Sequence, residues 1–454
     1  MLKYETDSRK VKKGQIFVAI KGHTVDGHDY IDDAIKNGAI KIVGEKDISC
    51  LVEYEKVKST EEYLKEHLKE EYADDINKLK IIGITGTNGK TTSCYLLYQS
   101  LSLLGENVAY MGTIGFKYQD MDITLENTTP DILTIYNLLY DVYQKGCKYV
   151  VMEVSSHSLS YERIYGLHLD YAAFTNLTED HLDYHKTMEN YLNEKLKIIN
   201  YLTKEKNLLV NIDDPAGIKF IERNKGGLTL GLNGELKINE WNFTPLKTKI
   251  NFSYKNNTYE VTTNLTSKFN VYNYLTSVGI LILMNYDINE ILELAPKLKA
   301  PAGRCETHFV NNGYVVIDYA HTPDAVEKVI EAYQELKKNR IITIIGCGGD
   351  RDPLKRPIMG NIATTLSDHV IFTNDNPRTE YPDNIMKDIL SGVKTNNYEV
   401  EMDRKKAIKK GIDSLEKDDI LLLLGKGHED YQIIGHKKIH LSDKEEVENW
   451  QNNK

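Results

Sequence analysis

The sequence predicts a three-domain α/β protein: a small N-terminal α/β domain over residues 1–78, a central parallel-sheet domain over 79–300, and a second open, Rossmann-like α/β domain over 301–454. Three observations carry this expectation. The chain has 454 residues, about three times the roughly 150 that one domain ordinarily uses. Short β-branched runs alternate with amphipathic stretches, the pattern of parallel strands joined by crossover helices. The alternation stops and restarts near residues 78 and 301.

In the first segment, GQIFVAIKG and AIKIVGEK read as strands separated by a helix-like DGHDYIDDAIKNGA. The charged stretch TEEYLKEHLKEEYADD at 60–75 reads as a solvated helix beside a boundary. From residue 79, KIIGIT, YVVMEV, AAFTN and LLVNIDD have the composition of buried parallel strands. Residues 228–264 alternate apolar and polar, which predicts an antiparallel appendage, and FNVYNYLTSVGILILMNY then supplies a closing helix. PAGR at 301–304 reads as a linker, after which YVVIDYA, IITIIGCGG, HVIFTND and DILLLLG resume the strand pattern. No repeat, low-complexity tract or heptad run interrupts it.

Bulk composition narrows the function. Hydrophobic residues make up 41% of the chain and charged residues 27%, so it can bury several cores beneath a wet surface. A formal charge of −10 gives no footprint for nucleic acid or an anionic membrane. Five widely spaced cysteines, without metal-ligand rhythm, fit a reducing compartment, and no apolar run is long enough for a signal core or a bilayer span. The expectation is a cytoplasmic protein whose phosphate-bearing ligands are held by a local site.

That site is KIIGITGTNGKTTSCYLLYQSL, where a strand runs through Gly86, Thr87, Asn88, Gly89, Lys90, Thr91 and Thr92 into a helix. Consecutive backbone N–H groups there form an anion nest, and the helix N-terminus adds partial positive charge. Lys90 is placed to neutralise transferring phosphates, and the Thr91 hydroxyl to hold Mg²⁺. Ile84 occupies the place of the first glycine in the general phosphate-loop pattern. ATP or another nucleotide is the expected ligand, although such a loop serves kinases, switches, motors and ligases alike.

Downstream, YVVMEVSSHS is a buried strand ending at Glu153, whose carboxylate would reach a cation on the nucleotide phosphates. A second strand, AAFTN, leads into a polar cluster containing His181. Taken alone, these residues fit a satisfied strand-end histidine and a capped helix start, with Asp180 or Asp183 serving backbone amides, as readily as a metal site.

Together these residues resemble the Mur ligase family, and within it the MurE-type members that extend UDP-N-acetylmuramoyl-L-alanyl-D-glutamate. The resemblance runs in order through TGTNGKTT, NTTP at 127–130, EVSSHSL, NLTEDHLDYH, FNVYN, GR at 303–304, DYAHTPD, GCGGDRD, DNPR at 375–378 and GKGHE at 425–429. It implies that ATP phosphorylates the substrate carboxylate and that an amine attacks the acyl phosphate. It also implies catalytic roles for Lys90, Glu153, His181 and Lys195. One Mg²⁺ would sit near Thr91 and Glu153, and a second near Glu153 and His181, completed by Lys195 as a carbamate. Asn270 and Asn273 are implied at adenine, Arg304 at the phosphates and Asp318 at the ribose. Because Arg304 and Asp318 follow the linker, the resemblance further implies ATP between domains and closure during turnover.

For the nucleotide-sugar substrate, the resemblance implies Asp7, Ser8, Arg9, His23, Thr24 and Val25 at uridine, and Asn127, Thr128, Thr129, Ser155 and Arg163 at the muramyl peptide. His23 and His28 also read as plain exposed turn residues in GHTVDGHDY. For the incoming amino acid it implies Arg351, Asp375, Asn376, Pro377, Arg378, Gly425 and Glu429. Within the family D-N-P-R accompanies meso-diaminopimelate, whose second carboxylate a guanidinium can grip with two parallel hydrogen bonds. Tyr161 stands where relatives carry glutamine and Ser267 where they carry glycine, and only six residues precede Asp7. The expected form is a monomer. The alternatives are a divergent relative that adds L-lysine or another amino acid, and a nucleotide-binding protein that has lost ligation.

Overall fold

A computed structural model describes residues 2–22 and 25–452. The chain forms two compact units, Met1–Thr229 with Gly279–Asn285, and Leu230–Val278 with Tyr286–Lys454.

The first unit opens with a four-stranded parallel sheet in sequence order: β1 (Tyr4–Glu5), β2 (Ile16–Val18), β3 (Lys41–Gly44) and β4 (Glu53–Lys56). Phe17 and Ile42 pack with Ile31 and Ala34 of the intervening helix, as the alternation of strands and DGHDYIDDAIKNGA predicts. The 60–75 stretch is helical but more than a solvated surface, since Leu64, Leu68, Tyr72 and Ile76 are all buried. Their i, i+4 spacing puts one apolar stripe on the core, and the density of charge on the other face masked it.

The unit's main sheet holds β5 (Lys80–Thr85), β6 (Val108–Gly112), β7 (Gly115–Tyr118), β8 (Met121–Ile123), β9 (Tyr149–Glu153), β10 (Tyr171–Phe174) and β11 (Leu208–Asn211). Their order is β11-β10-β5-β9-β6-β7-β8, parallel from β11 to β6 and antiparallel through the β7–β8 edge. Burial on both faces explains the nearly unbroken Val and Ile runs. It also places the carboxyl ends of β5, β9 and β10 side by side.

In the second unit, β12 (Leu228–Gly231), whose last two residues belong here, runs parallel to β13 (Leu236–Phe243). The strands β14 (Thr248–Tyr254) and β15 (Asn257–Thr263) complete the antiparallel appendage that the alternating pattern predicts. A six-stranded sheet follows: β16 (Glu306–Val310), β17 (Gly313–Asp318), β18 (Ile341–Ile345), β19 (His369–Phe372), β20 (Tyr398–Val400) and β21 (Ile420–Leu424). Its order is β16-β17-β21-β18-β19-β20, with only the β16 edge antiparallel. A hairpin, β22 (Tyr431–Ile434) with β23 (Lys437–His440), stands beyond β21. The strands β16, β20, β22 and β23 are polar or short and leave little apolar signature. Among the described residues no helix is long and apolar enough to cross a membrane.

Candidate active site

The phosphate loop is the turn between β5 and the 14-residue helix Lys90–Leu103. Gly89 caps that helix at φ 85°, a left-handed conformation natural to glycine. A Cβ at Gly86 would fall 1.9 Å from Thr175 Oγ1, so the motif needs glycine for close passage as well. The loop is laced to the exit of β10. The Asn88 N–H donates to Asn176 Oδ1 (2.9 Å), Thr175 Oγ1 donates to Asn88 O (2.7 Å), and Thr87 Oγ1 donates to Thr178 O (3.2 Å).

Lys90 Nζ folds over the loop and donates to the carbonyls of Gly86 and Thr87, each at 2.9 Å. Lys195 Nζ reaches the same Gly86 carbonyl at 2.8 Å from the helix Met188–Leu196. Lys195 is 1% exposed, and burial, reinforced by the Lys90 charge, holds its pKa well below that of an ordinary lysine. Its Nζ lies 4.4 Å from the centre of the Tyr191 ring, and the Tyr191 hydroxyl lies 3.3 Å from Thr87 Oγ1. His181 packs edge-on to that ring at 6.3 Å and to His157 at 4.8 Å. Burial, with the neighbouring His181 and His185, pushes His157 down to about 4. Tyr191 is thus the hub joining His181, Lys195 and the phosphate loop. A tyrosine on a helical face carries no sequence signal for such a role.

Glu153 is fully buried at the end of β9 and accepts from three side chains and one backbone amide. Thr91 Oγ1 (2.9 Å) and Thr113 Oγ1 (3.1 Å) donate to Oε2, while Tyr110 OH (2.7 Å) and Thr113 N–H (2.8 Å) donate to Oε1. Thr91 and Glu153 therefore touch. Among the described residues no three His, Cys, Asp or Glu side chains form a cage. A carboxylate beside a hydroxyl nevertheless suits Mg²⁺, which takes few protein oxygens and fills its remaining positions with phosphate and water.

The muramyl-peptide candidates gather on the same rim. Thr128 Oγ1 lies 3.1 Å from Thr113 Oγ1, Thr129 Oγ1 donates to Glu153 O (2.8 Å), and Ser155 N–H donates to Thr129 Oγ1 (3.1 Å). Arg163 Nη1 donates to Thr129 O (2.6 Å), and Asn127 is exposed beside them. At the amino-terminal sheet, Asp7 caps the short helix Ser8–Lys10 and pairs with Arg9 (2.8 Å), whose hydrogen bonds hold its carboxyl at about 2. Ser8 is buried in that helix. His23 and Thr24 lie outside the described residues. His28 is no exposed turn residue: it is buried, its Nδ1 bonds Asp26 (2.6 Å), and its Nε2 accepts the Glu45 N–H (2.8 Å).

In the second unit, Arg304, Asp318 and the acceptor candidates collect at the carboxyl edge of the six-stranded sheet, where open α/β folds bind ligands, while Asn270 and Asn273 lie on the helix Lys268–Leu283. Asp318 ends β17 and accepts the N–H groups of Cys305 and Ala320, both at 2.8 Å. Burial raises its pKa against the pull of Arg304. The Arg304 guanidinium lies 4.8 Å from the centre of the Tyr319 ring. Asn270 and Asn273 are buried on one helix, with Asn273 Nδ2 donating to Asn270 Oδ1 (2.9 Å) and Asn270 Nδ2 to Thr266 O (2.8 Å).

The acceptor candidates follow β19 and β21. Asp375 and Asn376 are buried; Asn376 Nδ2 donates to Glu429 Oε2 (2.8 Å), and its Oδ1 accepts the Ile433 N–H (2.9 Å). Gly425, at φ 109°, lets the chain leave β21 against the Asp375 carboxylate. The Pro377 carbonyl sits against Gly349, and Arg378 Nη1 donates to Gly349 O (2.7 Å). Arg378 adopts φ 52°, a costly conformation for a residue with a Cβ, and its N–H is pinned to Ile433 O (3.0 Å). Arg356, unremarked in the sequence, clamps the two arginine-bearing loops. It donates to Glu380 (2.8 and 2.9 Å), Asp388 (2.9 Å) and Gly348 O (3.2 Å). Arg351 remains exposed on its loop.

A phosphate loop facing a buried carboxylate, in a chain that also carries a separate Rossmann-like sheet with an arginine-rich carboxyl edge, defines the class of nucleotide-using α/β enzymes. The family models agree and narrow it. The Mur ligase middle domain matches residues 84–281, the Mur ligase glutamate ligase domain 303–427, and the Mur ligase family catalytic domain 4–82. The chain belongs to the Mur ligase family. It is 42% identical to the UDP-N-acetylmuramoyl-L-alanyl-D-glutamate–2,6-diaminopimelate ligase of Clostridium botulinum, over 98% of this chain and 94% of that one. It is 45% identical to the enzyme of the same name from Fusobacterium nucleatum, over 97% and 92%. A solved structure of a ligase with that name aligns over 99% of this chain and 94% of its own, with 31% identity and a TM-score of 0.69.

Proposed function

We propose that this chain is an ATP-dependent ligase that joins meso-diaminopimelate to UDP-N-acetylmuramoyl-L-alanyl-D-glutamate in peptidoglycan synthesis. The observation that carries the reading is Arg378: in a chain similar to diaminopimelate ligases over nearly its whole length, a guanidinium is held at strained φ on the carboxyl edge of the second sheet. Functional boundaries near residues 79 and 301 suit this reading, with nucleotide-sugar, ATP and amino-acid roles in chain order. So does a cytoplasmic setting, where ATP and a nucleotide-linked substrate are both at hand and five unpaired cysteines stay reduced.

In the mechanism, the phosphate-loop amides and Lys90 hold the triphosphate, and Lys90 leaves the Gly86 and Thr87 carbonyls to do so. Thr91 and Glu153 would hold Mg²⁺, and His181 with Lys195 as a carbamate would hold a second ion. Bound there, Mg²⁺ supplies charge stabilisation for oxygens on the transferring phosphoryl group. Burial lowers the Lys195 pKa and so favours the neutral amine that carbamylation requires. Thr128, Thr129, Ser155 and Arg163 would orient the peptidyl carboxylate toward the γ-phosphate, giving an acyl phosphate and ADP. Asp375, Asn376, Glu429 and Arg378 would present the amine, which displaces phosphate through a tetrahedral intermediate.

Phosphate release from ATP and Mg²⁺ with the dipeptide substrate tests the reading, comparing meso-diaminopimelate, L-lysine and no amino acid. Diaminopimelate-dependent release with a tripeptide product by mass supports it. Release with lysine alone keeps the ligase and overturns the acceptor, and no release in any mixture overturns both.

A further inference from the structure

Outside the residues already given roles, the second unit buries a lysine completely. Lys426 is 0% exposed in the turn that follows β21, between Gly425 and Gly427. An ammonium taken wholly out of water is retained only when neighbouring groups replace its hydration. Here they do. Lys426 Nζ donates to Glu429 Oε2 (3.2 Å) and to the Tyr431 carbonyl, and lies 5.4 Å from the centre of the Tyr431 ring. A lysine serving only stability would be better replaced by a packed hydrophobe of similar volume, since burying a charge pair rarely outperforms one.

The partners give it a direction. Glu429 Oε2 accepts from two sides, Asn376 Nδ2 at 2.8 Å and Lys426 Nζ at 3.2 Å, so that carboxylate oxygen is held by the strand-end loops of both β19 and β21. Asn376 is itself fixed by the Ile433 N–H (2.9 Å). Lys426 is too deep to touch a ligand, whereas the Glu429 side chain is 13% exposed and opens to solvent. We propose that Lys426 is a positioning residue for the incoming amino acid: it offsets and orients the Glu429 carboxylate, which in turn binds the ammonium of the acceptor. This rests on the proposed role of the carboxyl edge as the amino-acid site.

The test compares K426M, E429Q and the double variant. Acceptor KM, kcat, and the KM values for ATP and the nucleotide-sugar dipeptide are measured, together with calorimetric binding of meso-diaminopimelate. Loss of one charge-assisted contact predicts a rise of about tenfold or more in acceptor KM and Kd for K426M. The change in kcat should be smaller, and the other two KM values should stay within about twofold. Because Lys426 acts through Glu429, K426M should add little in the E429Q background. If K426M does not fold, K426Q, which keeps a donor, is read by the same KM-against-kcat split. Unchanged acceptor KM and Kd, an equal rise in all three KM values, or full additivity with E429Q overturns the positioning role while leaving the ligase intact. A wild-type protein that binds and uses no amino acid overturns both.

Discussion

Replacing Arg378 with lysine separates shape from charge at the proposed acceptor site. The guanidinium commits Nη1 to Gly349 O at 2.7 Å, so its other edge, Nε with Nη2, is the one able to grip a distal carboxylate in two parallel hydrogen bonds. A lysine keeps the charge but offers a single point of contact. With each charge-assisted bond worth about 1.5–3 kcal/mol, R378K should lower kcat/KM for meso-diaminopimelate by about tenfold to a hundredfold, and R378A should lower it further. Activity with L-lysine, which has no distal carboxylate, should not fall in parallel, so the ratio between the two acceptors is the diagnostic quantity. Initial rates of phosphate release at varied acceptor, with products checked by mass, measure it. If R378K keeps the wild-type KM for diaminopimelate, or loses activity with both amino acids equally, Arg378 does not read the second carboxylate.

Three further outcomes follow from buried polar groups. Glu153→Gln puts an amide NH₂ among four donors that now converge on a carboxylate, and turnover should fall by about a hundredfold with the far-ultraviolet spectrum unchanged; a variant with more than about a tenth of wild-type activity would refute the cation role. Asp443→Asn breaks a pair with Arg404 in which both side chains are 0% exposed, which should cost about 3–5 kcal/mol, read as a lowered denaturation midpoint for the second unit. Glu306 sits at about 2 rather than 4.5: burial alone would raise it, but His308, Lys444 and the Gly303 N–H together outweigh that. The folded-state pKa is the depressed one, so this stabilisation is present above 4.5 and drains away as pH falls toward about 2. K444M should therefore show a smaller loss of stability between about pH 5 and about pH 3, and an unchanged acid profile would refute the assignment.

Much of this was legible from the chain. The phosphate loop is local: strand, glycines, Lys90, Thr91 and helix follow one another, and each is required by the same backbone geometry. Buried parallel strands announce themselves through Val and Ile on both faces. The illegible parts share one cause, which is that their meaning depends on distant partners. Lys195 reads as a surface lysine of a polar helix until the Gly86 carbonyl is found beside it. Tyr110 carries no sequence signal for a role, yet its hydroxyl is on Glu153. His28 reads as an exposed turn residue, yet Asp26 and the Glu45 amide draw it inside.

The same contrast explains how the second unit holds the loops at the carboxyl edge of its six-stranded sheet. Loops after parallel strands lie beyond the sheet's own ladder; here Arg378 N–H to Ile433 O and Gly349 N–H to Asn376 O link them by backbone, and side chains add further bracing. Three buried cations do so. Arg404 ties Asp443 to the Leu424 carbonyl at the end of β21, Arg356 ties the Gly348 loop to Glu380 beyond β19, and Lys426 ties Glu429 to the Tyr431 carbonyl. Each is a long side chain whose burial is costly unless its partners are in place. Misplacing a loop therefore exposes an uncompensated charge, which makes the arranged state much lower in free energy than a partly arranged one. That steepness gives a site built on loops the rigidity that ligand recognition through fixed hydrogen-bond geometry requires.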